Sequence, residues 1–226
     1  EKTVRANNIH YPPTRLIALE NTHNYCMGSP ITPEYMSLAG ELARQHNIKI
    51  HVDGARIFNA AVALEVDVKD LARDADSVMF CLSKGLSAPV GSLTCGESKF
   101  IQKARKWRKM LGGGMRQSGH LAAAGIIAMN GLVDRLKEDH ANAQVLAQGI
   151  SRLKGVDLDP QLIKTNIIFF GLKHPTLTSE TFLNDLNAEG IKILMTRPGI
   201  FRAVLHREIS ESQIRRVIGI LEKLVK

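Results

Sequence analysis

The sequence predicts an α/β fold, with a large domain over residues 1–138 built on a mostly parallel sheet and a smaller α+β domain over residues 139–226. Three observations lead there. Apolar runs of strand length alternate with stretches of helical spacing through the first half. Each of those runs stops abruptly in a cluster of polar side chains, as functional groups gather beyond the carboxyl ends of parallel strands. From Val156 onward strands and helices lose that alternation, and two strands are joined by a turn over Thr196-Arg197-Pro198-Gly199.

Residues 1–13 read as a loop ending in Pro12-Pro13. Thr14–Leu19 is the first strand and ends in Glu20-Asn21-Thr22-His23-Asn24. Thr32 is placed to cap a helix over Pro33–His46, with Pro33 at its first position. Met36, Leu38, Ala39, Leu42 and Ala43 give that segment its apolar spacing. Ile48–Val52 is the next strand, stopping at Asp53-Gly54-Ala55-Arg56; Ile57–Leu64 and Val68–Asp74 read as helical. Val78–Leu82 is the third buried run and stops at Ser83-Lys84-Gly85. Leu93–Cys95 adds a strand, Ser98–Leu111 a strongly basic helix, and Gly112-Gly113-Gly114 a break. His120 to about Leu153 reads as one long helix joining the two domains, weakened or kinked at Gly125, Asn130 and Gly131. Val156–Leu158, Asn166–Gly171, Ile191–Met195 and Ile200–Leu205 follow as strands. Ser179–Glu189, capped by Ser179, and Ser210–Val225, capped by Ser210, are the remaining helices.

Composition narrows the function classes. The chain has 226 residues, 44% hydrophobic and 23% charged, as in globular proteins that fold in water. No apolar run approaches the roughly 20 residues that span a bilayer, so no membrane role is expected. The net charge of +8 could attract nucleic acid. Yet the basic residues are dispersed except over Lys103–Lys109, and no nucleic-acid motif accompanies that run. It reads as a solvated helix face, with an anionic-cofactor site or a subunit contact as the sharper alternatives; nucleic acid is not an expected partner. Cys26, Cys81 and Cys95 have no metal-ligand spacing, so no metal is expected. They read as reduced thiols of an intracellular compartment. The cytoplasm is expected. The mitochondrion stays open, since residue 1 is Glu rather than Met.

The chemistry gathers at strand ends. A lysine closing a buried strand is expected to be desolvated, which lowers an amine's pKa and makes it a nucleophile toward aldehydes; Lys84 stands there, although a turn lysine is the plainer reading. His23 suits acid–base work near neutrality, although a loop histidine is often only structural. Asp53 and Arg56 end the middle strand, and could instead be a helix cap and its ion-pair partner. Together the set matches what pyridoxal phosphate requires: an amine for its aldehyde, a carboxylate for its pyridine nitrogen, and cations for its anionic groups.

Glu20-Asn-Thr-His-Asn24, His51-Val-Asp-Gly-Ala-Arg56, Cys81-Leu-Ser-Lys-Gly-Leu86 with Ala88-Pro-Val-Gly91, and Leu111-Gly-Gly-Gly-Met-Arg-Gln117 resemble the low-specificity L-threonine aldolases. Asp139-His140-Ala-Asn-Ala143 and Thr165-Asn166 fit the same pattern. The resemblance runs over essentially the whole chain. It implies the pyridoxal-phosphate-dependent transferase-like fold (fold type I): a large cofactor-binding domain and a small C-terminal domain. It implies pyridoxal 5'-phosphate as cofactor, held through Lys84, with Asp53 on the pyridine nitrogen and Arg56 near the phenolate and the substrate carboxylate. Arg202 is implied as the carboxylate clamp, and His23 as the base or positioner at the substrate hydroxyl. Arg116, and beside it Lys109, are implied as basic residues reaching the site in an oligomer, a dimer of dimers. The implied reaction cleaves L-threonine or L-allo-threonine, a β-hydroxy amino acid, to glycine and acetaldehyde, in threonine catabolism and glycine formation. A lyase for another β-hydroxy amino acid, or an impaired chain that only associates with intact subunits, are the alternatives.

The chain departs from that family at its beginning. The Gly-Thr loop for the cofactor phosphate and the histidine that stacks on the pyridine ring have no counterpart, since residues 1–13 contain no glycine. A large domain lacking its first strands at the N-terminus is expected to expose apolar faces and strand edges.

Overall fold

Parallel strands need crossovers, and the first half of the chain supplies them. In a computed structural model, which describes residues 3–5 and 8–226, the chain divides into two compact units. One comprises Glu1–Thr22 and Pro30–Val133, the other His23–Ser29 and Asp134–Lys226.

The first unit holds a sheet of β1 (Leu16–Glu20), β2 (Lys49–Asp53), β3 (Ser77–Cys81) and β4 (Ser92–Gly96), in that spatial order. The pairs β1–β2 and β2–β3 are parallel, and β4 runs antiparallel along β3. Between the parallel strands run α1 (Pro33–Gln45), then α2 (Ile57–Leu64) and α3 (Val68–Ala72). Thr32 caps α1 as expected, its side chain accepting from the Tyr35 N–H, and Asp67 does the same for α3 through the Lys69 N–H. Met36, Ile50, Val52, Ala60 and Leu71 are fully buried and make the core on which β2 sits.

β4 is exposed along its whole length, and the basic helix α4 (Ser98–Met110) buries no residue. Leu93, Phe100, Met110 and Trp107, the last 58% exposed, line this apolar and cationic surface.

The expected single helix over 120–153 is two helices, α5 (Gly119–Gly131) and α6 (Leu136–Ile150), which belong to different units. Asn130 and Gly131 are poor helix formers. The first helix closes there, the Leu132 N–H donating to Ala128 O, and α6 starts afresh with Leu136 fully buried.

The second unit carries an antiparallel sheet in the order β5 (Val156–Asp157), β6 (Ile167–Leu172), β8 (Ile200–Val204), β7 (Leu194–Arg197). With α6, α7 (Ser179–Ala188) and α8 (Glu211–Leu224) it shares one apolar core. Phe182 stands edge-on to Phe201 at 4.9 Å between ring centres, and Phe170 stacks on Phe201 at 5.6 Å. Ser210 starts α8 through a capping box with Gln213, as expected. The cap of α7 is Thr178 rather than Ser179. The Ser179 hydroxyl is engaged elsewhere, accepting from the Gly199 N–H at 2.9 Å in the turn between β7 and β8.

Candidate active site

In the first unit the parallel pairing brings the carboxyl ends of β1, β2 and β3 to one edge of the sheet, with Glu20 beside Asp53 and Asp53 beside Met79 in register. Asp53 is half-buried. Its Oδ1 accepts from the Ala55 N–H at 3.0 Å, and its Oδ2 has no hydrogen bond among the described residues. The backbone turns away through Gly54, whose N–H donates to Met79 O at 2.8 Å. A Cβ at Gly54 would stand 2.9 Å from that same carbonyl, so only glycine lets β2 end so close to β3. Arg56 follows as the N-cap residue of α2 and is half-buried.

Lys84 lies just beyond β3, in a turn closed by the Ser87 N–H donating to Lys84 O at 2.8 Å. Buried Leu82, Leu86 and Ala88 hold that turn in place. Leu82 is further fixed by backbone bonds, donating to Gly91 O and accepting from Ala88 N–H. Lys84 itself is exposed, which corrects the expectation that its strand-end position desolvates it. The apolar neighbours in sequence anchor the turn from below and leave its apex in water. Thus Asp53, Arg56 and Lys84 share one edge of one sheet. Arg116 and Lys109 are exposed, Arg116 in the loop between α4 and α5 and Lys109 on α4.

His23 belongs to the second unit, together with Arg202. It precedes a short 3₁₀ turn over Asn24–Cys26, and its carbonyl accepts from both Cys26 N–H and Gly28 N–H. Gly28 adopts φ +66°, and its carbonyl accepts from the buried Thr165 hydroxyl at 2.9 Å. Tyr25 lies between the His23 ring at 6.1 Å and the Phe169 ring at 6.3 Å. Phe169 is the register partner of Arg202 across β6 and β8. Arg202 is half-buried, and its Nη1 donates to Asn24 Oδ1 at 2.8 Å. Sequence reasoning passed over Asn24 as one polar residue among several; only the fold joins it to a residue so far along the chain. The same unit has a cavity of about 490 Å³ lined by Tyr25, Met27, Phe169, Thr196 and Arg197, and neither His23 nor Arg202 lines it.

Two titratable groups outside these sets stand side by side on α6, Asp139 fully buried and His140 half-buried. Burial pushes the Asp139 carboxyl up, although Arg135 Nη2 donates to it at 2.5 Å. Burial lowers His140 to about 4. Among the described residues no group of His, Cys, Asp and Glu could hold a metal ion, and no helix is long and apolar enough to cross a membrane. The three cysteines are free thiols, Cys26 and Cys95 exposed.

The chain is similar to proteins of known family over most of its length. The chain is 43% identical over 216 residues to the low specificity L-threonine aldolase of Escherichia coli K12, covering 95% of this chain and 61% of that protein. It is 42% identical over 214 residues to low-specificity L-threonine aldolase 1 of Arabidopsis thaliana, covering 94% and 60%. The chain therefore spans about three-fifths of the length of these relatives. Among solved structures, the threonine aldolase of Leishmania major superposes with a TM-score of 0.75 at 19% identity, over 97% of this chain and 64% of that one. Serine palmitoyltransferase of Sphingomonas wittichii does so with 0.73 at 20% identity, over 94% and 55%. These likenesses establish the α/β fold. The beta-eliminating lyase family model matches residues 1–172. With its strand-end lysine and aspartate in the positions described, the chain belongs to the beta-eliminating lyase family.

Proposed function

We propose that this protein is a pyridoxal-phosphate-dependent L-threonine aldolase, cleaving L-threonine or L-allo-threonine to glycine and acetaldehyde. The observation that carries the reading is the placement of Lys84 and Asp53 at one carboxyl edge of a parallel sheet, supported by 42–43% identity to aldolases from two kingdoms. The residues fit the cofactor. An exposed amine on a pinned turn is accessible to an aldehyde. A half-buried carboxylate whose Oδ2 has no hydrogen bond among the described residues can hold a pyridinium N–H. Arg56, at the start of α2 on the same edge, supplies a cation for the phenolate. When bound, the cofactor supplies an electron sink for the pair left on Cα as the Cα–Cβ bond breaks.

The chain's own groups do the rest. Lys84 would hold the cofactor through its aldehyde. Asp53 would face the pyridine nitrogen and favour its protonated form. Arg202 binds the substrate carboxylate, and this fixes which bond at Cα is weakened. His23, directly or through a water, takes the β-hydroxyl proton. Arg116 adds a cation for the cofactor when subunits assemble. We propose a homo-oligomer, a dimer of dimers, using the exposed apolar and basic face of β4 and α4. The free thiols suit an intracellular compartment, the cytoplasm or the mitochondrion.

The test is an absorbance spectrum of the protein with pyridoxal phosphate, before and after L-threonine, followed by acetaldehyde release. A visible-edge band that requires Lys84, responds to threonine and accompanies acetaldehyde supports the reading. An identical spectrum for Lys84→Ala would refute it.

A further inference from the structure

Arg202 lies between Phe169 and Leu194 in the register of its sheet, and its printed side-chain partner is a neutral amide. Its Nη1 donates to Asn24 Oδ1 at 2.8 Å, while its Nε is buried with no hydrogen-bond partner among the described residues. A guanidinium offers two forked edges to a carboxylate, Nε with Nη2 or Nη1 with Nη2. Asn24 engages Nη1, so the edge with both atoms unengaged is Nε–Nη2. A buried donor without an acceptor is costly, so this edge is built to receive one. Asn24 is itself fixed, because the 3₁₀ turn that carries it is tied down through Gly28 and Thr165. An amide oxygen can orient the cation without neutralising it.

We propose that Asn24 is a positioning residue for substrate binding, turning Arg202 so that its Nε–Nη2 edge takes the carboxylate of an amino acid side-on. This rests on the reading of Arg202 as the carboxylate anchor. It adds a residue, a direction of approach and a charge requirement at position 24: a neutral acceptor is needed. An aspartate there would keep the hydrogen bond but pair with the guanidinium and weaken its hold on a second carboxylate.

The test is calorimetric binding of glycine, and of methylamine as a ligand without a carboxylate, to the protein loaded with pyridoxal phosphate. Asn24→Ala should weaken glycine about tenfold, as for a lost hydrogen bond to a charged group, and leave methylamine unchanged. Asn24→Asp should weaken glycine at least as much while its thermal midpoint stays at or above that of the parent. A merely structural tether predicts the reverse, since aspartate keeps the tether. In an Arg202→Ala background, Asn24→Ala should add nothing. Wild-type glycine affinity in either Asn24 variant, equal losses for methylamine, or additive losses in the double variant would overturn the proposal. If Arg202→Ala itself leaves glycine affinity unchanged, the anchor reading fails and the role of Asn24 falls with it. Weak binding by Arg202→Ala with normal binding by both Asn24 variants overturns only the role of Asn24.

Discussion

Gly28 is the position where one methyl group should do most damage. Its φ of +66° is left-handed, which costs an L-residue about 1–2 kcal/mol. An added Cβ would stand 2.5 Å from Thr165 Oγ1 and 3.2 Å from Ile167 Cβ and Cδ1. Thr165 and Ile167 are both buried, so neither can swing into solvent. Forcing them apart adds an overpacking term of about 1–3 kcal/mol. Moving the Thr165 hydroxyl also breaks its bond to Gly28 O, worth about 1 kcal/mol. Gly28→Ala should therefore destabilise the second unit by about 3 kcal/mol or more, read by urea unfolding followed by circular dichroism. Thr165→Ala removes the collision but not the backbone strain. The double variant Gly28→Ala/Thr165→Ala should then lose about 2–4 kcal/mol less than the two single losses added together, because the overpacking disappears and the shared hydrogen bond is lost only once. A Gly28→Ala protein within about 1 kcal/mol of the parent would refute the reasoning, since strain alone should exceed that. Strict additivity would show that Thr165 is not the obstacle.

Other outcomes follow from the same kind of accounting. Gly219 lies inside α8 with nothing within 4 Å of an added Cβ, so Gly219→Ala should stabilise by about 0.5–1 kcal/mol in the same unfolding assay. Phe182 is fully buried between Phe170 and Phe201, and Phe182→Ala should cost about 3–5 kcal/mol, with Phe182→Leu costing clearly less. His140 is lowered to about 4 by burial. An unfolded histidine titrates near 6.5, so between these values the unfolded chain binds more protons and stability falls as pH falls. The loss should reach at most about 3 kcal/mol by pH 4, and His140→Gln should flatten that slope in pH-dependent denaturation. Asp139, raised by burial, works in the opposite sense: it favours the fold at low pH and loses that contribution as pH rises through its folded value.

Much of this was legible in the sequence because the signals were local. Strand runs and helical spacing gave β1 to β4 and α1 to α4 to within a few residues, and Thr32 and Ser210 capped the helices they preceded. Where the sequence misled, the deciding contact was distant. Thr178 and Ser179 are both good caps, and only the Gly199 N–H that occupies Ser179 separates them. The Ala-rich start of α5 argued for a continuous helix, but Leu136 gains a buried position only if the chain breaks before it. Lys84 followed a buried run and so looked buried, yet the apolar residues around it anchor the turn and leave its tip in solvent. The partners of Asn24 and Gly28 lie on β6, β8 and the strand's approach, beyond the reach of any local pattern.

The polar cluster after β1 shows how a short motif can serve two tasks at once. Asn21 is buried and spans the loop's base: its Nδ2 donates to Ile31 O at 3.2 Å and its Oδ1 accepts from Ile31 N–H at 3.0 Å. Asn21 N–H also donates to Asp53 O at 2.9 Å, which fixes the end of β1 against the end of β2. Those bonds lie within the first unit, while His23–Ser29 between them folds with the second. The excursion is therefore clasped at its base by one asparagine, and its tip is held by the Gly28 carbonyl and the Asn24 amide. Each of these groups makes a bond of its own, so the entropy of ordering the run is met in folding. That is the physical reason for a run of five polar residues where a surface turn would need only one or two. Asn21 and Thr22 build the base, and Asn24 and Gly28 hold the segment that follows.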